Sequence, residues 1–258
     1  MSAVVAASAV HKSRKLLILT DIHIRGENQK IIGLDPLEKF ELALIHALQV
    51  HKDAAALIIT GDLTHSGKVE EYRRLNDALQ LARNARMPYH LMVGNHDNRD
   101  NFLQVFPDTP LTADGHVQQV LDFGTHKCIL LDTLDGPPFS HSTHHGVLCS
   151  ARLLWLEEQL QEAQVVADKQ SVIVCIHHPP FMLGIPGMDA IRLKNDEACM
   201  DLLCRYSCVS QIICGHMHRT ISGTCRGKAY AVFKSPCHQL PMDMVSEDSS
   251  LSTAEPGA

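Results

Sequence analysis

Short apolar runs alternate with amphipathic segments along the chain, and the two periods separate the first half into elements. Leu16 to Thr20 reads as a strand. Pro36 to Gln49 carries Leu37, Phe40, Leu44 and Leu48 on one stripe, with Pro36 at the first turn, which predicts a helix. Ala56-Leu57-Ile58-Ile59 has no polar face, the pattern of a strand covered on both sides as in a parallel sheet. A second helix is predicted over Val69 to Asn84, with Val69, Tyr72, Leu75, Leu79 and Ala82 turned inward, and Tyr89 to Val93 reads as the next strand. The order β-α-β-α-β implies parallel strands with crossover helices, an α/β fold.

The second half is looser. Val117 to Phe123 and Cys128 to Asp132 read as strands paired across Gly124-Thr125-His126. A helix with Leu153, Trp155, Leu156 and Leu160 is expected over Ala151 to Ala163, an apolar strand over Ser171 to Ile176, and a helix over Asp196 to Tyr206. Gln211 to Cys214 reads as a strand, and Thr220 to Cys225 with Ala229 to Phe233 are expected to close a second sheet. The domain is placed at 15–244, with 1–14 as an N-terminal tail, 134–147 as a cap loop, and the acidic, serine-rich 245–258 as a disordered C-terminal tail.

Composition narrows the function. A chain of 258 residues is long enough for one large domain with a substantial core. A formal net charge of −6 and no basic run in the body argue against binding long nucleic acid. No run approaches the ~20 apolar residues of a membrane span. The first apolar residues precede the basic His11-Lys12-Ser13-Arg14-Lys15, the reverse of a secretory signal, so export is not expected. Nine cysteines, an odd number with no Cys-x-x-Cys pair, read as reduced thiols in a cytoplasmic protein.

The 17 histidines change the picture more, because many sit at strand ends. Five apolar runs are followed by Asp21-Ile22-His23, Gly61-Asp62, Gly94-Asn95-His96-Asp97, His177-His178 and Gly215-His216-Met217-His218. Each motif alone is weak. Together they fall at one edge of an α/β fold, where loops diverge and ligands bind. Carboxylate, imidazole and amide oxygen without thiolate suit manganese, iron, zinc or cobalt rather than a closed structural zinc. The candidates are too many for one ion; two ions ~3.5–4 Å apart fit the logic of in-line phosphoryl displacement.

These blocks in this order resemble the calcineurin-like metallophosphoesterase family over Leu16 to about His218, closest to class III cyclic-nucleotide phosphodiesterases and bacterial glycerophosphodiesterases. Gly61-Asp62-Leu63-Thr64, His177-His178-Pro179-Pro180 and Met188-Asp189 add to the resemblance. It implies a four-layer αββα sandwich with a dimetal site at strand carboxyl ends, iron or manganese foremost. Asp21, His23, Asp62 and His218 would hold the first ion. Asp62 would bridge to a second, held also by Asn95, His177 and His216. Strand alternation cannot choose between His177 and His178; the family points to His177.

The implied reaction is hydrolysis of a small phosphodiester, a 3′,5′-cyclic nucleotide foremost, by in-line attack of a hydroxide shared between the ions. His96 would face the leaving group, with Asp97 orienting its ring or merely capping the loop, and Asn95 and His65 would reach the phosphate. A glycerophosphodiester is the alternative substrate, and a non-catalytic scaffold of the same fold, with a surface for partners, is the reading from another class. The histidines of the loop between Gly136 and Gly146 (His141, His144, His145) are candidates to cover the site. Ile22, where relatives carry a small or hydroxyl residue, is expected to point away from the metals. The resemblance leaves room for a homodimer.

Overall fold

The computed structural model describes residues 15–136, 144–166, 170–247 and 250–253. The N-terminal tail and His141 lie outside the described residues. β1 (Lys15–Leu19), β2 (Ala54–Thr60) and β3 (Tyr89–Met92) form a parallel three-stranded sheet in that order, connected through α1 (Pro36–Val50) and through α2 (Val69–Ala78) and α3 (Gln80–Asn84). A six-stranded sheet follows, built from β4 (Gln119–Asp122), β5 (His126–Leu131), β6 (Ser171–Ile176), β7 (Val209–Cys214), β8 (Ile221–Cys225) and β9 (Lys228–Val232) in the order β4-β5-β6-β7-β9-β8. Its centre, β5-β6-β7-β9, is parallel, and hairpin partners β4 and β8 run antiparallel at the two edges. The remaining helices are α4 (Arg99–Val105), α5 (Ser150–Gln164), α6 (Pro186–Asp189) and α7 (Asp196–Arg205).

Strand alternation explains the layering. On β2, Leu57 and Ile59 join the cluster containing Phe40 and Leu44 of α1 and Tyr72 and Leu75 of α2, whereas Ile58 joins Met92, Cys128, Leu130, Cys175 and Ile213. On β6, Val172, Val174 and Ile176 pack with Leu156 and Leu160 of α5 and Leu202 and Leu203 of α7, while Cys175 faces the other way. Each central strand therefore sends one set of side chains to helices and the other to the opposing sheet. The result is an αββα sandwich. Burial on both faces is why these strands read as unbroken apolar runs rather than alternating ones.

Local signals account for most boundaries. The Asp35 carboxylate caps α1 by accepting from the amides of Leu37 (3.0 Å) and Glu38 (3.4 Å), and Pro36 fits the first turn. The helix expected as one piece over Val69–Asn84 is instead tightened at Leu79, whose ψ of −8° separates α2 from α3. The buried stripe of Leu75, Leu79 and Ala82 runs through the break. Helices α4 and α6 have no counterpart in the sequence reading. The C-terminal stretch differs too: Gln239 and Ser252 exchange two backbone hydrogen bonds, both 2.8 Å, so the chain around 252 is tied to the domain. All nine cysteines are free thiols. No helix among the described residues is long and apolar enough to cross a membrane.

Candidate metal centre

The loops leaving β1, β2 and β7 share an unusual backbone. Asp21 (φ 53°), His23 (47°), Asp62 (46°), His216 (71°) and His218 (49°) all adopt the left-handed region that residues with a Cβ generally avoid. Such strain persists only where the surroundings over-determine it, and it gathers at functional sites. Here the surroundings are backbone ladders: the Asp21 amide donates to Gly61 O (3.1 Å), the His23 amide to Asp62 O (2.9 Å), and the Gly215 amide to His177 O (3.1 Å). Ile22, between two left-handed residues, is fully buried in the cluster with Ile24 and Phe40, turned away from the site as expected.

The sequence candidates converge in two overlapping groups. Asp21, His23, Asp62 and His218 offer ligand atoms within 4.8 Å of one another, all buried. His218 Nε2 lies 3.4 Å from Asp21 Oδ1, and His23 Nε2 lies 3.5 Å from Asp62 Oδ2. In the second group, His177 Nε2 is 3.4 Å from Asp62 Oδ1 and 3.2 Å from Asn95 Oδ1, and the His216 ring centroid is 5.3 Å from that of His177. Asp62 thus presents one oxygen to each group.

Outer partners fix which nitrogen of each ring faces the carboxylates. His177 Nδ1 donates to Thr60 O (2.9 Å) and His218 Nδ1 to His238 O (3.0 Å), so in both rings Nε2 is the nitrogen turned to the carboxylates. His23 Nε2 and His218 Nε2 face each other at 3.1 Å, and the buried His216 Nε2 has no hydrogen-bond partner among the described residues. Burial would keep His177 neutral, yet the neighbouring Asp62 and Asp21 carboxylates raise it to about 9. Burial, reinforced by His177, lowers His216 to about 3. Burial raises Asp62, but His177 and His96 outweigh it and hold the carboxyl well below its ordinary value. Imidazole nitrogens and ionised carboxylates aimed at common points, in a field that draws positive charge to His177 and His218, form a donor set that fits two divalent cations.

Asp97 departs from one expectation. Rather than orienting the His96 ring, it turns both oxygens to the backbone, accepting from Gly94 N (2.9 Å), Leu63 N (3.0 Å) and Thr64 N (3.1 Å), and also from Thr64 Oγ1 (3.2 Å) and Tyr72 Oη (2.9 Å). Burial, and then the charge of Asp62, raise it to about 6. The His96 ring is oriented instead by His65: His96 Nδ1 donates to His65 O (2.8 Å), and the two rings stack at 5.1 Å. The His65 ring itself, lowered to about 4 by burial and by His96, lies on the wall of the pocket.

His178 is buried behind the site with both nitrogens engaged, Nδ1 with Thr133 Oγ1 (2.7 Å) and Nε2 with His144 O (3.1 Å). It braces His144, whose Nδ1 accepts from Asn95 Nδ2 at 3.0 Å and so turns Asn95 Oδ1 inward. The sequence reading missed two residues here. His238 lies over His218 (centroids 4.5 Å) and His23 (4.9 Å), and Ser235 Oγ donates to Asp21 O (2.7 Å). Neither follows a strand-and-motif signal, although a lone histidine beyond the last strand was a visible cue.

The centre opens into a pocket of about 240 Å³. Its floor is His23, Asp62, Asn95, His216 and His218, and His65, His96, His144 and His238 rise around it.

Fold and site together define a metal-dependent phosphoesterase. Residues 14–220 match the family model described as Calcineurin-like phosphoesterase, and the chain belongs to that family. A "Probable cyclic nucleotide phosphodiesterase" of Rhodopseudomonas palustris is 38% identical over 242 residues, covering 94% of this chain and 85% of its own. A "Probable glycerophosphodiester phosphodiesterase GpdQ" of Arcobacter nitrofigilis is 30% identical over 243 residues, covering 92% and 84%. In fold the chain is similar to a dimetal phosphatase from Danio rerio, with a TM-score of 0.68 at 14% identity over 86% of this chain and 87% of that one.

Proposed function

We propose that the protein hydrolyses small phosphodiesters, 3′,5′-cyclic nucleotides and cyclic AMP foremost, using two ions held by Asp21, His23, Asp62, Asn95, His177, His216 and His218. The observation that carries this reading is the shared carboxylate of Asp62, 3.5 Å from His23 on one side and 3.4 Å from His177 on the other, at the floor of a pocket of about 240 Å³. The oxygen and nitrogen donors suit iron or manganese, and the free thiols suit the cytoplasm. The two ions, when bound, supply a nucleophilic water of lowered pKa and neutralise charge on the phosphodiester.

The chain's own residues do the rest. Asn95 Oδ1 is held inward by His144, and its position relative to Asp62 is fixed because the His96 amide donates to Asp62 Oδ1 at 2.9 Å. His96 stands above the floor, edge-on to His23 (4.7 Å, 78°). Its Nδ1 is committed to His65 O, so Nε2 is the ring atom placed to pass a proton to the departing alkoxide. Asp97 acts at a distance, as the strut that holds the Gly94 turn against the Leu63 turn.

The test is a side-by-side comparison of kcat/KM for cyclic AMP, glycerophosphocholine and a phosphomonoester, each with manganese, iron and zinc. Cyclic AMP is expected to lead; faster turnover of glycerophosphocholine would transfer the assignment to the glycerophosphodiesterase branch. His96→Ala should retain both ions while losing about 10²- to 10⁴-fold in rate on diesters with poor leaving groups. Unchanged rates would remove His96 from the mechanism.

A further inference from the structure

The pocket lining is of two chemical kinds. Beside the histidines it includes an aliphatic set, Met188, Ile191, Leu240 and Leu251, which reach the cavity from α6, from the turn just after it, and from the C-terminal segment. This wall is built into the site rather than draped over it. Asp189 pins the α6 turn by accepting from the amides of Leu183 (2.8 Å) and Gly184 (2.9 Å). Leu240 O accepts from the Arg219 side chain, next in sequence to His218, and the Gln239–Ser252 pair holds Leu251 in place.

We propose that this aliphatic wall is the seat of the nucleobase, and so the element that makes the site select nucleotides over other diesters. The inference rests on the phosphodiesterase reading given above. The wall and the ligand cluster line one cavity, so whatever lies against the wall is covalently attached to the reacting phosphate. Its chemistry excludes the other common appendages. A quaternary ammonium seeks an aromatic face or a carboxylate, yet among the described residues no Trp, Tyr or Phe lines this pocket, and the carboxylate on its described lining is Asp62 in the candidate ligand cluster. Free glycerol hydroxyls laid on four aliphatic side chains would lose water without gaining partners. The flat face of a purine buries apolar area there and leaves its polar edge toward solvent. A wall that meets the face of a base and not its edge discriminates weakly between bases, because every base has such a face. Cyclic AMP and cyclic GMP should therefore be turned over within about tenfold of each other.

The experiment compares cyclic AMP with its base-free analogue, methyl β-ribofuranoside 3,5-cyclic phosphate, on the manganese-loaded protein. The wild type should show a KM for cyclic AMP about tenfold or more below that of the analogue. Leu251→Ser, at a side chain 39% exposed and so compatible with folding, should bring the two KM values together, with the loss in KM rather than in kcat. Ile191→Ser should do the same, and Leu154→Ser, an exposed leucine of α5, serves as the control. Equal KM values in the wild type, or a Leu251→Ser change that weakens both substrates alike, would overturn the proposal. Calorimetry with AMP and ribose 5-phosphate separates this outcome from failure of the parent reading. If neither cyclic phosphate is hydrolysed but AMP binds about tenfold more tightly than ribose 5-phosphate, the wall stands and the reaction is another. If the two bind equally, the wall is refuted whatever the reaction.

Discussion

Five donors converge on the carboxylate of Asp97, three of them buried backbone amides. Asp97→Asn turns an NH2 group toward some of those donors and leaves them unpaired, so it should destabilise the fold by about 3 kcal/mol or more. Tyr72→Phe removes one donor of the five and should cost about 1–2 kcal/mol. Urea denaturation of both variants measures the difference; equal losses would mean that the amides find other partners. His144 touches the candidate ligand set through Asn95, and its ring also lies 5.1 Å from that of His96. His144→Ala frees the Asn95 amide to rotate, and affinity for the more weakly held ion should fall about 10- to 100-fold, as read by calorimetric manganese titration. An unaltered isotherm would show that Asn95 needs no such brace. The convergence of Asp21, Asp62, His177, His216 and His218 was legible from sequence because each follows a strand whose end is marked by a change from apolar to polar residues. The contacts of Asp97 and His144, both named as candidates, were not, since the direction of a loop side chain depends on which backbone groups the fold brings beside it.

At the scale of elements, strand and long-helix positions could be read because burial on both faces writes unbroken apolar runs, and one-sided burial writes a stripe. Helices α4 and α6 escaped that reading. The first has seven residues and the second four, too few for a period, and their signals are local: the Asn98 side chain caps α4 at Asn101 N (3.0 Å), and Pro186 begins α6. The turns between elements are governed by space. A Cβ on Gly94 would come within 2.3 Å of Asp62 Oδ1 and 2.5 Å of Asp62 N, and one on Gly215 within 2.3 Å of Thr20 Oγ1. Gly94→Ala should therefore yield protein that copurifies with less than one ion per chain, by elemental analysis, even where circular dichroism shows the sheets intact. Two ions per chain in that variant would show that the Asp62 loop yields more readily than its ladders imply.

For the whole molecule, the candidate ligand cluster is a junction between the two sheets, with Asp21 and Asp62 supplied by the first and His177, His216 and His218 by the second. Cations bound only by the folded state stabilise it by mass action, about 2.7 kcal/mol per site at a free concentration 100 times Kd. At ~2–4 °C per kcal/mol for a chain of this size, stripping the ions with a chelator should lower Tm by about 5–10 °C per site lost. Differential scanning calorimetry before chelation, after it, and after manganese is restored measures this; a Tm indifferent to chelation would mean that the sheets close without them.

The amide of His216 donates to both oxygens of Asp21, each at 3.0 Å, across 195 positions of chain. A nascent polypeptide can complete β1 to β3 and their helices long before His177, His216 and His218 have been synthesised. The full donor set then exists only after the last large loop closes, which would make occupancy by two ions a late event in biogenesis. The growing chain passes through an interval in which Asp21 and Asp62 have only His23 and His96 to offset them.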